Sequence, residues 1–249
     1  MLAIVRRYHR RRAGQSVRAL CVAVLLCLAM TACGASSTRH SSARSSGANA
    51  PGRTLVVMGA SDAYGIGSYD PDRQNWPTQL AGDLPQPVHL VNLAIPGATL
   101  AQAQQEELPV AVAQRPQIVV LWLVVNDIIE NVPLATYTAE LQSTLATFHA
   151  ASPQTHVFVG NVPDLARLPY FQMRDPVTLR AQVSAWNSAI AQVCAAEGAT
   201  LADIASGWGQ LGDHQDYISN DGLHPSSLGA VELAAFFDIV IRQTLEITR

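Results

Sequence analysis

Apolar residues follow two rhythms along this 249-residue chain. Short runs rich in β-branched residues, Leu55 to Met58, Val88 to Leu93, Ile118 to Val124, His156 to Gly160 and Thr200 to Ile204, read as strands. Between and after them, Trp76 to Leu84, Leu100 to Ala113, Leu134 to Ala151, Val177 to Glu197 and Ser226 to Leu245 carry apolar residues at helical spacing. Strands that alternate with longer amphipathic helices predict an α/β domain over residues 54–249, with five mostly parallel strands and helices on both faces. A domain of this size buries roughly 70% of the unfolded chain's surface in one core, without help from disulfides. Ligands of such open sheets bind at the carboxyl ends of the strands, so polar residues just past each strand are the candidates for chemistry.

The first 53 residues follow neither rhythm. Six arginines and no acid lie between residues 6 and 18, and an uncharged run, Ala19 to Met30, follows. That run is too short to cross a hydrocarbon layer of roughly 30 Å as a helix, so residues 1–32 read as a removable signal peptide. Residues 33–53, rich in Ser, Ala and Gly, read as a flexible tether. The junction Met30-Thr31-Ala32-Cys33 resembles the lipobox of bacterial lipoproteins, with Met where Leu is usual. That resemblance implies a diacylglyceryl group on Cys33 and an exported protein held at the cell membrane. The alternative is ordinary cleavage nearby and secretion without a lipid.

Charge narrows the partners. All 16 basic residues are arginine, and removal of the six in the signal leaves ten against 19 acids, a formal net charge of −9. Such a surface lacks the clustered cations that neutralise phosphates, which argues against nucleic acid and against electrostatic docking on anionic lipid. Any residence at the membrane therefore rests on Cys33. Cys21 and Cys27 lie in the apolar run, so Cys194 is the one cysteine left in the domain and no disulfide can form within it. Cys194 shares a helical face with Val183, Trp186 and Ile190, and reads as a buried small hydrophobe.

The strand ends hold the candidate chemistry. The first runs into Gly59-Ala60-Ser61-Asp62, where Ser61 serves equally as a nucleophile or as a helix cap. The second runs into Ala94-Ile95-Pro96-Gly97-Ala98, where Gly97 either meets a turn's need for positive φ or offers its amide to a developing negative charge. The third ends in Val124-Val125-Asn126-Asp127, where Asn126 either bonds nearby backbone or donates to that same charge. Ahead of the last helix stands Asp221-Gly222-Leu223-His224-Pro225, with Pro225 at a first-turn position that needs no donor. There a carboxylate three residues from an imidazole can orient the ring and leave its other nitrogen free as a base. A metal site built from Asp213, His214, Asp216 and His224 is the weaker reading, because no pair has a familiar ligand spacing.

Taken in order, Ser61, Gly97, Asn126 and His224 on successive strand ends resemble the SGNH hydrolases, also called GDSL-like lipases and esterases. The resemblance covers about residues 54 to 245 and implies a flavodoxin-like three-layer α/β/α sandwich. It also implies Ser61 as nucleophile, Asp221 and His224 as the rest of a triad, and Ser61, Gly97 and Asn126 as oxyanion donors. Two departures in the first block, Ala60 for Asp and Asp62 for Leu, touch no catalytic position of that family. Val124, where the third block usually has Gly, adds a branched side chain that can tilt Asn126 or narrow an acyl pocket. Asn161-Val162-Pro163-Asp164-Leu165 resembles a stretch of bacterial members, and the loop from there to Pro176 is expected to line the cleft. The expected function is hydrolysis of small-molecule, lipid or glycan esters by a monomer that needs no cofactor. The alternative is an envelope lipoprotein that keeps the fold but binds without catalysis, or passes its acyl group to an alcohol.

Overall fold

The computed structural model describes residues 53–207 and 214–246. The expected signal segment, Cys33 and the tether to residue 52 lie outside the described residues, as does Asp213. Five strands form the sheet: β1 (Arg53–Gly59), β2 (Val88–Asn92), β3 (Ile118–Trp122), β4 (His156–Gly160) and β5 (Thr200–Ala202). Their order is β2-β1-β3-β4-β5 and every pairing is parallel, with Leu55 beside Leu90 on one side and Ile118 on the other. Residues Leu55 to Gly59 of β1 and all of β3 are buried, which is why these strands are near-continuous apolar runs instead of alternating ones.

Among the described residues ten α-helical segments lie between and after the strands: α1 (Ser61–Tyr64), α2 (Pro71–Gln74), α3 (Trp76–Asp83), α4 (Leu100–Glu106), α5 (Leu108–Ala113), α6 (Val125–Ile129), α7 (Leu134–Ala151), α8 (Pro176–Glu197), α9 (Ile204–Gly207) and α10 (Ser227–Leu245). Helices α3 and α10 pack together over one side of the sheet. There Trp76 stacks on Phe237 with ring centroids 4.8 Å apart, and the Trp122 ring meets both edge-on. Helices α4, α5, α7 and α8 cover the other side, where Tyr137 packs on Trp186 and donates its hydroxyl to the Leu123 carbonyl at 2.9 Å. The result is the expected three-layer α/β/α sandwich. Cys194 lies in its interior, where burial pushes the thiol up to about 12 and leaves it inert.

The differences from the sequence reading have local causes. Leu100–Ala113 is two helices, because Pro109 at the second position of α5 has no N–H to continue α4. The apolar run Ile118 to Val124 leaves the sheet after Trp122 and turns into α6. Pro225 stands outside α10, whose cap is Ser226, its Oγ accepting from the Gly229 N–H at 3.1 Å.

Candidate active site

The strand order reverses direction at β1 and β3, so a crevice opens where their carboxyl ends part. Ser61 is the first residue of α1, directly after β1, where the helix geometry leaves its own N–H without an intrahelical acceptor. From the far end of the chain, the turn before α10 brings His224 to it, and His224 Nε2 lies 2.8 Å from Ser61 Oγ. His224 Nδ1 lies 2.7 Å from Asp221 Oδ2. Asp221 is itself held in place, its Oδ1 accepting from the Leu223 and His224 backbone N–H groups at 2.8 and 3.0 Å. Burial works to raise the Asp221 carboxyl, but those amides and the imidazole outweigh it and hold the group well below the usual carboxylate range. The aspartate is thus a fixed anion that selects the tautomer with hydrogen on Nδ1 and leaves Nε2 able to accept the serine proton.

Close packing of Gly67 keeps that turn against the Ser61 segment. It has φ +94°, and a Cβ there would lie 2.9 Å from the His224 Cβ and 2.5 Å from the Pro225 carbonyl oxygen.

The segments that carry the other two candidates are joined by a hydrogen bond. Gly97 has φ +85°, so the turn reading of its glycine is correct. Asn126, in the first turn of α6, donates its Nδ2 to the Ala98 carbonyl at 2.9 Å, which ties it to the Gly97 loop and leaves a second N–H for another acceptor. Asp127 anchors the same loop from below, accepting the Leu100 N–H at 3.1 and 3.3 Å. The turn reading of Gly97 and the backbone-bonding reading of Asn126 therefore both hold, and Asn126 also lines the cleft beside Ser61.

Beside Ser61 lies a largely apolar cleft of about 580 Å³ including its open mouth. Its apolar lining includes Trp122, Val124, Pro163, Leu168 and Leu223. Val124 is buried with φ −159°, outside the positive-φ region that favours glycine, and its side chain becomes wall. The loop after β4 contributes Pro163 and Leu168, and the Tyr170 N–H bonds the Gly222 carbonyl at 3.1 Å, so this loop does line the cleft beside the His224 turn. Among the described residues no three His, Cys, Asp or Glu side chains converge as metal ligands, and both ring nitrogens of His224 are engaged as above.

The model of the GDSL-like Lipase/Acylhydrolase family matches residues 57–231. The chain belongs to that family. No curated protein matches it by sequence. Among solved structures it is similar to TesA, at 23% identity and a TM-score of 0.63, over 77% of this chain and 99% of that one. It is also similar to the psychrotrophic esterase EstA of Pseudoalteromonas sp. inhibited by monoethylphosphonate, at 17% identity and a TM-score of 0.61, over 78% and 100% of the two chains. A third is Axe2, an acetylxylan esterase of Geobacillus stearothermophilus, at 17% identity and a TM-score of 0.62, over 76% and 94%. At these identities the likeness is one of fold. Membership of a GDSL-like family makes acyl-ester hydrolysis the general activity to be expected of the crevice.

Sequence reasoning overlooked three acids that surround this site in the GDSL-like fold. Asp62 Oδ2 accepts from the Trp76 indole N–H at 2.9 Å, Asp127 is fully buried, and Glu107 is buried with one oxygen on the Gly59 N–H at 3.0 Å. Desolvation by burial raises all of them: Asp62 from 3.8 to about 6, Asp127 from 3.8 to about 7 and Glu107 from 4.5 to about 8. A signal for Glu107 was present, since Leu100, Ala103, Glu107 and Ala111 fall on one helical stripe and the other three are apolar.

These acids set the pH dependence of stability. The unfolded chain ionises them in the ordinary carboxylate range while the folded chain keeps their protons, so stability is full at low pH and is lost as pH rises toward about 8. Asp221 has the opposite sign: its contribution is present above 3.8 and is lost as pH falls further. The melting temperature will therefore be highest between about pH 4 and 5 and decline toward pH 8. Calorimetric scans across that range test this, and a melting temperature that climbs from pH 5 to 8 would contradict it.

Proposed function

We propose that this protein is a serine esterase that works through an acyl-enzyme. One observation carries the reading: Asp221, His224 and Ser61 form a continuous hydrogen-bonded chain at the carboxyl end of the sheet, beside an apolar cleft. His224 Nε2 takes the proton from Ser61 Oγ as that oxygen attacks the ester carbonyl. The Ser61 and Gly97 amides and the Asn126 side-chain amide receive the charge that forms on the carbonyl oxygen. His224 then returns the proton to the departing alcohol. In the second half a water molecule, deprotonated by the same imidazole, attacks the acyl-serine, and the imidazolium returns that proton to Ser61 Oγ as its bond to the acyl carbon breaks and the acid leaves. Every proton in this cycle is carried by His224, so the residues suffice without a cofactor.

The test is covalent. A fluorophosphonate will add to the purified protein, and peptide mass analysis will find it on the Ser61 peptide in the wild type and nowhere in Ser61→Ala. Labelling of another residue, or none, contradicts the nucleophile.

The wall of the cleft supports a small acyl group. Val124 fills space that a glycine would leave open, and one extra methylene in an apolar pocket is worth about 10- to 200-fold in discrimination. Val124→Gly will keep or raise turnover of p-nitrophenyl acetate and raise kcat/KM for the hexanoate about tenfold or more. A large loss on every chain length would instead assign the valine to support of Asn126.

Exported placement through a lipid on Cys33 completes the reading, supported by the arginine-rich start, the short apolar run and Thr31-Ala32-Cys33. Metabolic labelling with palmitate in a bacterial host will mark the full chain and miss Cys33→Ala. Equal labelling of both refutes the anchor.

A further inference from the structure

Glu107 sits in the interior at the junction of α4 and α5, 1% exposed, and plays no part in the cycle above. Its Oε2 accepts the Gly59 N–H at 3.0 Å, while Oε1 is buried without a hydrogen-bond partner. Gly59 stands two residues before Ser61. The Gly59 carbonyl in turn accepts the Ile95 N–H at 3.1 Å, and that amide also acts on the Glu107 carboxyl. Ile95 stands two residues before Gly97. A single buried carboxyl thus lies where the segments leading to two backbone amides, those of Ser61 and Gly97, are joined.

We propose that Glu107 is a positioning residue that, as the uncharged acid, clamps the ends of β1 and β2 together so that the Ser61 and Gly97 amides face one point. The proposal rests on the esterase reading, because it is there that those two amides receive charge. The protonation state follows from the surroundings. An anion at this place would have one oxygen with no donor, in a site closed to water, which costs far more than a neutral acid. The charged groups that act on it are Asp62, from α1, and Glu106, from its own helix, and both are acids that oppose a further negative charge. Among the described residues no cation is one of the groups that act on it. Ionisation, at about pH 8, would set a buried negative charge behind the donors that must stabilise an oxyanion, and would weaken them at the step that needs them.

The experiment compares full-length wild type, Glu107→Gln and Glu107→Ala from pH 6 to 10. It reads kcat and KM on p-nitrophenyl acetate and the rate of fluorophosphonate labelling, with Ser61→Ala as background at each pH. Wild-type kcat will fall above about pH 8 while KM holds. Glutamine keeps an acceptor for the Gly59 N–H and cannot ionise, so Glu107→Gln will retain turnover near pH 7 and lose the alkaline fall. Alanine leaves that amide unpaired and the clamp open, and kcat will drop roughly 10- to 100-fold with KM within about twofold, as for a small misplacement of reacting groups. The same alkaline fall in Glu107→Gln as in the wild type would overturn the proposal, as would undiminished kcat in folded Glu107→Ala. Should the alanine variant not fold, the glutamine profile decides alone. Failure of the esterase reading shows differently, as labelling or turnover that survives Ser61→Ala.

Discussion

His224→Ala will lower kcat on p-nitrophenyl acetate by about 10⁴- to 10⁶-fold and leave the fold intact. The size follows from the position of the ring. With Nε2 at 2.8 Å from Ser61 Oγ and Nδ1 at 2.7 Å from Asp221, it is the one group able both to remove the serine proton and to return it to the leaving alcohol. A serine hydroxyl without that base is a weak nucleophile at neutral pH. What remains will come from the amides and from binding, which do not depend on the imidazole. The side chain is only 17% exposed, so its loss also removes some packing. Far-ultraviolet dichroism and a melting curve beside the kinetics separate lost chemistry from lost structure, and activity within tenfold of the wild type would rule out His224 as the base.

Ser61→Ala will cost a similar factor, and the double variant Ser61→Ala/His224→Ala will be no worse than either alone. Groups that act as one unit fail together, because once the nucleophile or its base is gone the other has nothing to act on. Independent contributions would multiply instead. A double variant with a loss near the product of the two single losses would show that Ser61 and His224 serve separate steps, and the hydrogen bond between them would then be incidental.

Much of this site was legible in the chain because parallel α/β folds put function at strand ends, and the strands here announce themselves as runs of branched residues. Ser61, Gly97 and Asn126 follow three such runs, and Asp221 and His224 stand three apart before the last helix. The meeting of Ser61, His224 and Asp221, with Asn126 in the same cleft, also fits the ends of β1 and β3 lying side by side, which the order of predicted strands alone did not state. The errors fell where one property serves two structures. Val124 is as apolar as the strand before it, and since both strand and α6 are buried, hydrophobicity could not mark where one stops. Pro109 did mark the break in the predicted helix Leu100–Ala113, and was overlooked within a long apolar period. Glu107, Asp127 and Asp62 were missed for a different reason. An acid's burial is decided by what packs over it, and Glu107 meets Gly59 from 48 positions away.

The valine in place of a glycine illustrates how a family pattern and a fold constraint differ. At φ −159° the backbone is outside the positive-φ region that would call for glycine, and the structure puts the valine in the wall of the cleft with Asn126. Selectivity among acyl groups is therefore the property in which this chain should depart most from members that keep the glycine.

The most direct test of the esterase assignment is hydrolysis of p-nitrophenyl esters, acetate through palmitate, by the purified protein and by Ser61→Ala in parallel. Turnover will be fastest on the short chains and will vanish with Ser61. Equal turnover by the Ser61→Ala protein, or none by the wild type on any chain length, would contradict the assignment.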